Sequence, residues 1–149
     1  MQNLNLPAFD YQLKSNENKT LIFDIIRKKY VVLTPEEWVR QHFVNYLISV
    51  KNYPVSLIAI EKQIQLHKVT KRFDILIFSN IGKPYILIEC KAPNVQISQN
   101  TFDQIARYNS EIDAEFLIVT NGLDHFCCQM DFDSKKYIFL NSIPDFQSK

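Results

Sequence analysis

Glycine is scarce in this chain: two in 149 residues, beside six prolines. A sequence so poor in both argues against flexible linkers and low-complexity tails. Long hydrophobic runs are missing too. No stretch reaches the roughly 20 apolar residues that a membrane-spanning helix needs, and Met1-Gln2-Asn3-Leu4 lacks the charged-then-apolar build of a signal peptide. These absences predict a cytoplasmic protein without a membrane partner. Cysteine is limited to Cys90, Cys127 and Cys128, in no metal-ligand spacing, and His42, His67 and His125 are scattered. A sequence-local zinc motif and a disulfide framework are therefore both unexpected. Charge of one sign is lacking as well. The net charge is +1, whereas a free-standing nucleic-acid binder is often plainly basic. The basic clusters at 27–29, 68–72 and 135–136 read first as solvated turns.

What is present suits one folded domain. The hydrophobic share is 46% and the aromatic share 13%, at a length that can enclose a real core. Residues 1–19 read as a polar arm that packs loosely, and 20–149 as a single domain. The runs at 21–25 and 30–33 bracket a basic turn and predict a hairpin. Thr34-Pro35-Glu36-Glu37 is a helix start, with a capping threonine, proline at the first helical position and acids in the first turn. That helix should reach about Val50, with Trp38, Phe43, Tyr46 and Leu47 on its buried face. Residues 55–66, 73–78 and 85–91 read as strands, the last two as an antiparallel hairpin turning about Ile81-Gly82. A helix over 100–112, a buried strand over 116–120 and strand candidates at 126–132 and 137–140 complete the order. Together they predict an α/β fold.

Chemistry concentrates in the central hairpin. Its two strands are too apolar to carry charge cheaply, yet they hold Asp74, Glu89 and Lys91. A turn about Ile81-Gly82 sets Asp74 directly across from Glu89, where two like charges would destabilise the sheet. A divalent cation between them reverses that sign. Magnesium prefers one or two carboxylates and takes its other ligands from water and substrate phosphate. Period-two geometry puts Glu89 and Lys91 on one face, so the lysine can orient or deprotonate a water and offset charge on a phosphodiester. The same residues are equally compatible with an ion-pair set at a strand end, Lys91 neutralising Glu89 and Arg72 pairing with Asp74. Glu36 or Glu37 can add a third carboxylate, or merely stabilise the helix N-terminus. Gln104 and Tyr108, four residues apart, share a helix face and can contact a phosphate or a metal-bound water, although Tyr108 reads first as a plain boundary aromatic. Arg40, one turn beyond Glu36, can simply pair with it.

Asp74 followed by Glu89-x-Lys91 resembles the PD-(D/E)xK nuclease signature, here with Phe73 in place of its leading proline. The upstream Glu36 and the run Gln104-Ile105-Ala106-Arg107-Tyr108 resemble the RecB-like branch, which adds a glutamate and a Q-x-x-x-Y helix. Thr34-Pro35-Glu36-Glu37-Trp38-Val39-Arg40-Gln41, Lys71-Arg72-Phe73-Asp74, Ile88-Glu89-Cys90-Lys91-Ala92-Pro93, Asp103-Gln104-Ile105-Ala106-Arg107-Tyr108-Asn109 and Thr120-Asn121-Gly122, in this order, are similar to the N-terminal nuclease domain of type I restriction enzyme R subunits, in a small stand-alone form. The resemblance covers roughly residues 20–140.

The resemblance implies a restriction-endonuclease-like three-layer core, a mixed central sheet flanked by helices, with extra strands at both ends. It implies that Asp74, Glu89 and Glu36 hold Mg2+ (or Mn2+ in its place). Lys91 would position the attacking water, and Gln104, Tyr108, Arg72 and Arg40 would support the site or touch phosphate. Glu36 is preferred to Glu37 for its Glu-x-x-x-Arg relation to Arg40. The substrate class implied is DNA. A complete R subunit also carries a motor, and no phosphate-binding glycine loop is present here. The domain is thus expected to work with a separate recognition or motor protein, as a metal-dependent endonuclease using metal-activated water. The alternative is a catalytically silent nucleic-acid-binding or assembly module on the same fold.

Overall fold

The computed structural model describes residues 1–66 and 69–147. His67 and Lys68, the latter part of the basic cluster at 68–72, lie outside the described residues. Strands β1 (Leu13–Asn16), β2 (Lys19–Asp24) and β3 (Lys29–Val32) form a small antiparallel sheet. Helix α1 (Pro35–Ser49) follows, then β4 (Ile58–Leu66), β5 (Val69–Phe78) and β6 (Pro84–Cys90). Helix α2 (Gln99–Ile112) leads to β7 (Phe116–Thr120), β8 (His125–Asp131) and β9 (Lys136–Leu140). These six strands lie side by side in chain order. All neighbours are antiparallel except β6 and β7, which run parallel because α2 crosses over between them.

The two helices sit on opposite faces of this sheet, which makes three layers. On one face Val39, Phe43 and Leu47 of α1 pack with Ile75, Ile77, Ile86 and Ile88. On the other, Phe102 and Ile105 of α2 pack with Phe73, Leu76, Leu87, Leu117 and Val119. Strand β7 is buried along its whole length, as expected of a strand covered on both faces. The restriction-endonuclease-like architecture expected from the sequence is therefore the one observed.

Both helices begin where side-chain caps permit. The Thr34 hydroxyl accepts the Glu37 N–H at 3.0 Å, and the Ser98 hydroxyl accepts that of Thr101 at 3.2 Å. Each bond satisfies one of the amide donors that a helix start leaves open. Helix α2 ends at Asp113 in the left-handed conformation, with the Asn109 amide bridging both backbone groups of Ala114.

The arm packs more closely than its composition suggests. Phe9 meets the His42 ring edge-on at 4.7 Å and Tyr11 meets Trp38 at 5.2 Å, while the Trp38 indole N–H donates to the Gln2 carbonyl. Leu4 lies so close to Gly122 that a Cβ there would come within 2.8 Å of it, and Gly122 has φ +86°. These contacts cover the outer side of α1 and leave that helix buried nearly all round.

Candidate active site

The site lies where β5 and β6 part, while β6 stays paired with β7. The β5–β6 ladder runs through Ile75 opposite Ile88. One step further in the same register, Asp74 faces Glu89, the pairing expected from the hairpin, but the ladder has ended. The Asp74 carboxylate instead accepts the backbone N–H of Cys90 at 2.8 Å, and Lys91 turns its own N–H to Thr120 of β7. The alternation of β5 slips at the same point. Phe73 belongs to the α2 core and Ile75 to the α1 core, although period-two geometry would put both on one face. Asp74 thus projects from a local irregularity at the fork.

On the α1 side a single guanidinium organises the acids. Arg40, 4% exposed, reaches Asp74 Oδ1 at 2.9 Å, Glu36 Oε1 at 3.2 Å and Glu61 Oε1 at 3.3 Å through one nitrogen. Its other terminal nitrogen binds Glu37. Burial alone would lower its pKa, but the charges of Glu37 and Asp74 outweigh burial and raise it. Arg40 Nε is the one buried side-chain nitrogen or oxygen without a partner among the described residues.

The two helix acids separate clearly. Glu37 is buried and fully engaged by Arg27, Arg40 and Gln41. Glu36 is half exposed; burial, then the charge of Asp74, push its pKa up, while Arg40 and Lys91 pull it back. Glu36 therefore shares the electrostatic neighbourhood of Asp74 and Lys91, and Glu37 belongs to the buried network.

Glu89 is the most perturbed carboxyl. Burial first, and then the negative charge of Asp74, push it up to about 7. The Lys91 ammonium, 3.4 Å from Glu89 Oε1, opposes that rise. On the α2 side the same two residues line a cavity of about 80 Å³ together with Lys71, Gln104 and Tyr108. The Tyr108 hydroxyl is drawn below its ordinary pKa by its hydrogen bond with Gln104 and by the charge of Lys71, whose ammonium sits 4.2 Å from the ring centroid.

Asp74, Glu89, Lys91, Glu36, Arg40, Gln104 and Tyr108 all converge on the fork. Arg72 does not. It is largely exposed, and its acid neighbour is Glu61 at 3.8 Å. The strand-end alternative, with Arg72 neutralising Asp74, is replaced by Arg40, because α1 delivers a buried guanidinium to that carboxylate. Among the histidines, His42 bonds the Trp38 carbonyl within its own helix and His125 bonds the Thr120 hydroxyl. Sequence reasoning missed Glu61, Arg27 and Lys71. Arg27 looked like a solvated turn residue, yet it binds Asp24, Glu37 and Glu61. Glu61 interrupts an otherwise strand-like run, which was the one available signal.

No group of three or more His, Cys, Asp or Glu side chains is arranged around a common metal position among the described residues. Two facing carboxylates are nonetheless the donor set that magnesium favours. The raised pKa of Glu89 beside Asp74 is the electrostatic cost a cation would relieve. The residues present fit a two-carboxylate site completed by water and phosphate.

Comparison with known proteins agrees with the fold. A fragment described as an HsdR subunit of a type I restriction enzyme, from Vibrio vulnificus YJ016, superposes with a TM-score of 0.53 at 19% identity. The match covers 76% of this chain and 24% of that one, so this chain spans about a quarter of its structural relative. No curated protein matches the sequence. The profile of the family described as "Type I restriction enzyme R protein N terminus (HSDR_N)" matches residues 35–144, a span that holds both helices and every candidate residue at the fork. The chain belongs to the family of type I restriction enzyme R protein N-termini.

Proposed function

We propose that this domain is a magnesium-dependent endodeoxyribonuclease that works with the recognition and motor components of a restriction system. The observation that carries the reading is the Asp74–Glu89 pair. Two acids face each other across a strand fork, one of them pushed up to about 7 by burial and by the other's charge, with a lysine at 3.4 Å. A structural ion pair would be expected to relax both acids, and this one leaves Glu89 strained towards its protonated form.

Bound Mg2+ would supply the charge that lets both carboxylates ionise together and that offsets charge on a phosphodiester. The protein's own groups do the rest. Asp74 is aimed by the Cys90 N–H and by Arg40. Lys91 stands beside Glu89, where its ammonium can hold a water in line and stabilise the phosphate oxygens. Glu36, the more exposed acid of the helix start, whose ion-pair partner is Arg40 at 3.2 Å, can accept a proton from that water or add a ligand. Gln104 and Tyr108 offer neutral donors to the neighbouring backbone phosphate, which positions DNA without reading its sequence.

The test is incubation of purified protein with supercoiled plasmid in Mg2+ or Mn2+, beside Lys91→Ala. Nicking by the wild type, abolished in the variant, is expected; no nicking, or equal nicking, refutes the reading. A second reading, a silent nucleic-acid-binding or assembly module, is favoured by the hold of Arg40 on Asp74, which already satisfies one oxygen. That module would retain plasmid in a binding assay and leave it intact.

A further inference from the structure

Within strand β4 one residue leaves the strand conformation. Glu61 has φ +50°, in the left-handed region that costs energy for any residue but glycine. The other non-glycine residues with positive φ among the described ones are Glu17, Asn18, Lys28, Asn52, Asp113 and Lys135, all at turns or just past helix ends. Ile60 pairs with Ile75 and Lys62 with Phe73, so the ladder resumes in unchanged register on both sides. The position skipped lies opposite Asp74.

The distortion has a visible product. It carries the Glu61 carboxylate onto the α1 side, 3.3 Å from Arg40 and 3.5 Å from Arg27. Arg40 Nη2 is then shared by Glu61, Glu36 and Asp74. A buried guanidinium that loses a carboxylate is strongly destabilising unless another takes its place. Glu37 stays on the other terminal nitrogen, but an event that draws Asp74, and Glu36 with it, towards a cation leaves Glu61 as the remaining acid on Nη2.

We infer that Glu61 is a positioning residue that acts through Arg40: it keeps the guanidinium paired when Asp74 turns to a divalent cation. The inference rests on the cation-site reading proposed above. It accounts for both anomalies of β4, the unfavourable conformation and its place opposite Asp74. Arg40 Nε has no partner, so its terminal nitrogens alone decide where it sits, and Glu61 competes for one of them.

The experiment is thermal unfolding of the whole chain in EDTA and across a MgCl2 titration, for wild type, Glu61→Asn and Glu61→Asp. Both substitutes tolerate the left-handed conformation better than glutamate. Glu61→Asp preserves the negative charge but shortens the reach by one methylene, which separates contact from general field. Both variants are expected to need about tenfold more Mg2+ for half of the stabilisation, the size of effect that partners of metal ligands usually have. A merely structural role would lower the EDTA melting temperature and leave the half-saturating concentration unchanged, which overturns the inference. Glu61→Asp titrating like wild type overturns it as well, whether or not Glu61→Asn folds. A wild type that Mg2+ does not stabilise at all refutes the cation site itself, and this inference with it.

Discussion

The two helices flank the same sheet but meet the fork in opposite ways. Helix α1 buries charge and polarity: the charged Glu37 and Arg40 and the neutral Gln41 and His42 are all inside. Its inner face packs on the sheet and its outer face is covered by the N-terminal arm. Helix α2 is amphipathic in the ordinary sense, with Phe102 and Ile105 inward, Asn109 as its buried polar residue, and Gln104 facing solvent. Strong, mutually paired charges fix the acids from one side. On the other, where the cavity opens, the neutral Gln104 and Tyr108 stand beside the two lysines Lys71 and Lys91. A hydrolytic site needs both, because preorganised charge on one side is useless unless a substrate phosphate can approach from the other.

Substitutions should expose that asymmetry. The largest effect is expected at Arg40: Arg40→Met leaves Glu37 and Asp74 without their shared cation and should cost about 3–5 kcal/mol in urea denaturation. Gln104→Ala on α2 should stay within about 0.5 kcal/mol. Equal losses at the two positions would erase the contrast. Lys91→Ala is expected to lower plasmid cleavage by roughly 10²–10⁴-fold, in the range of a positioned acid–base group, with little change in stability.

The pH dependence comes next in size. The folded-state pKa of Glu89 is raised to about 7 from 4.5, so the folded protein holds that proton more tightly than the unfolded chain. Its contribution to stability is complete below about pH 4.5 and is lost as pH climbs towards 7. Melting curves of metal-free protein should show this fall, and Glu89→Gln should flatten it. A wild type whose stability rises through this window, with Glu89→Gln parallel to it, would contradict the assignment.

Smaller again are the caps. Thr34→Ala and Ser98→Ala should each cost about 1 kcal/mol. Only the first should also lower cleavage, because the first turn of α1 carries Glu36. Lys71→Ala should weaken DNA binding uniformly across sequences and reduce the salt slope by about one. An unchanged slope would remove the α2 side from the substrate path.

Much of this was legible in the sequence, and the reason is locality. The helix starts are encoded in Thr34-Pro35 and, less plainly, around Ser98. The register that sets Asp74 against Glu89 follows from one hairpin turning at Gly82, whose φ is +80°. A bulge between Ile77 and Phe78 shifts the pairing on the turn side only, so the expectation survived it at the site. What stayed hidden was non-local. Nothing near Arg40 in the chain announces that Glu61 and Asp74 will reach it, and nothing near Glu61 announces a left-handed strand residue. Arg27 sits in a basic turn that looks solvated until its guanidinium reaches Glu37 of α1 at 2.8 Å. Pairing across 34 residues, as between Arg40 and Asp74, is decided by tertiary packing, which local periodicity does not carry.

The central claim is that Asp74 and Glu89 together hold a cation. Calorimetric titration of the whole chain with MgCl2 at pH 8, beside Asp74→Asn and Glu89→Gln, tests it most directly. The account predicts a single binding event in the wild type that either substitution removes. Wild type that binds no magnesium, or variants that bind it equally well, would contradict it.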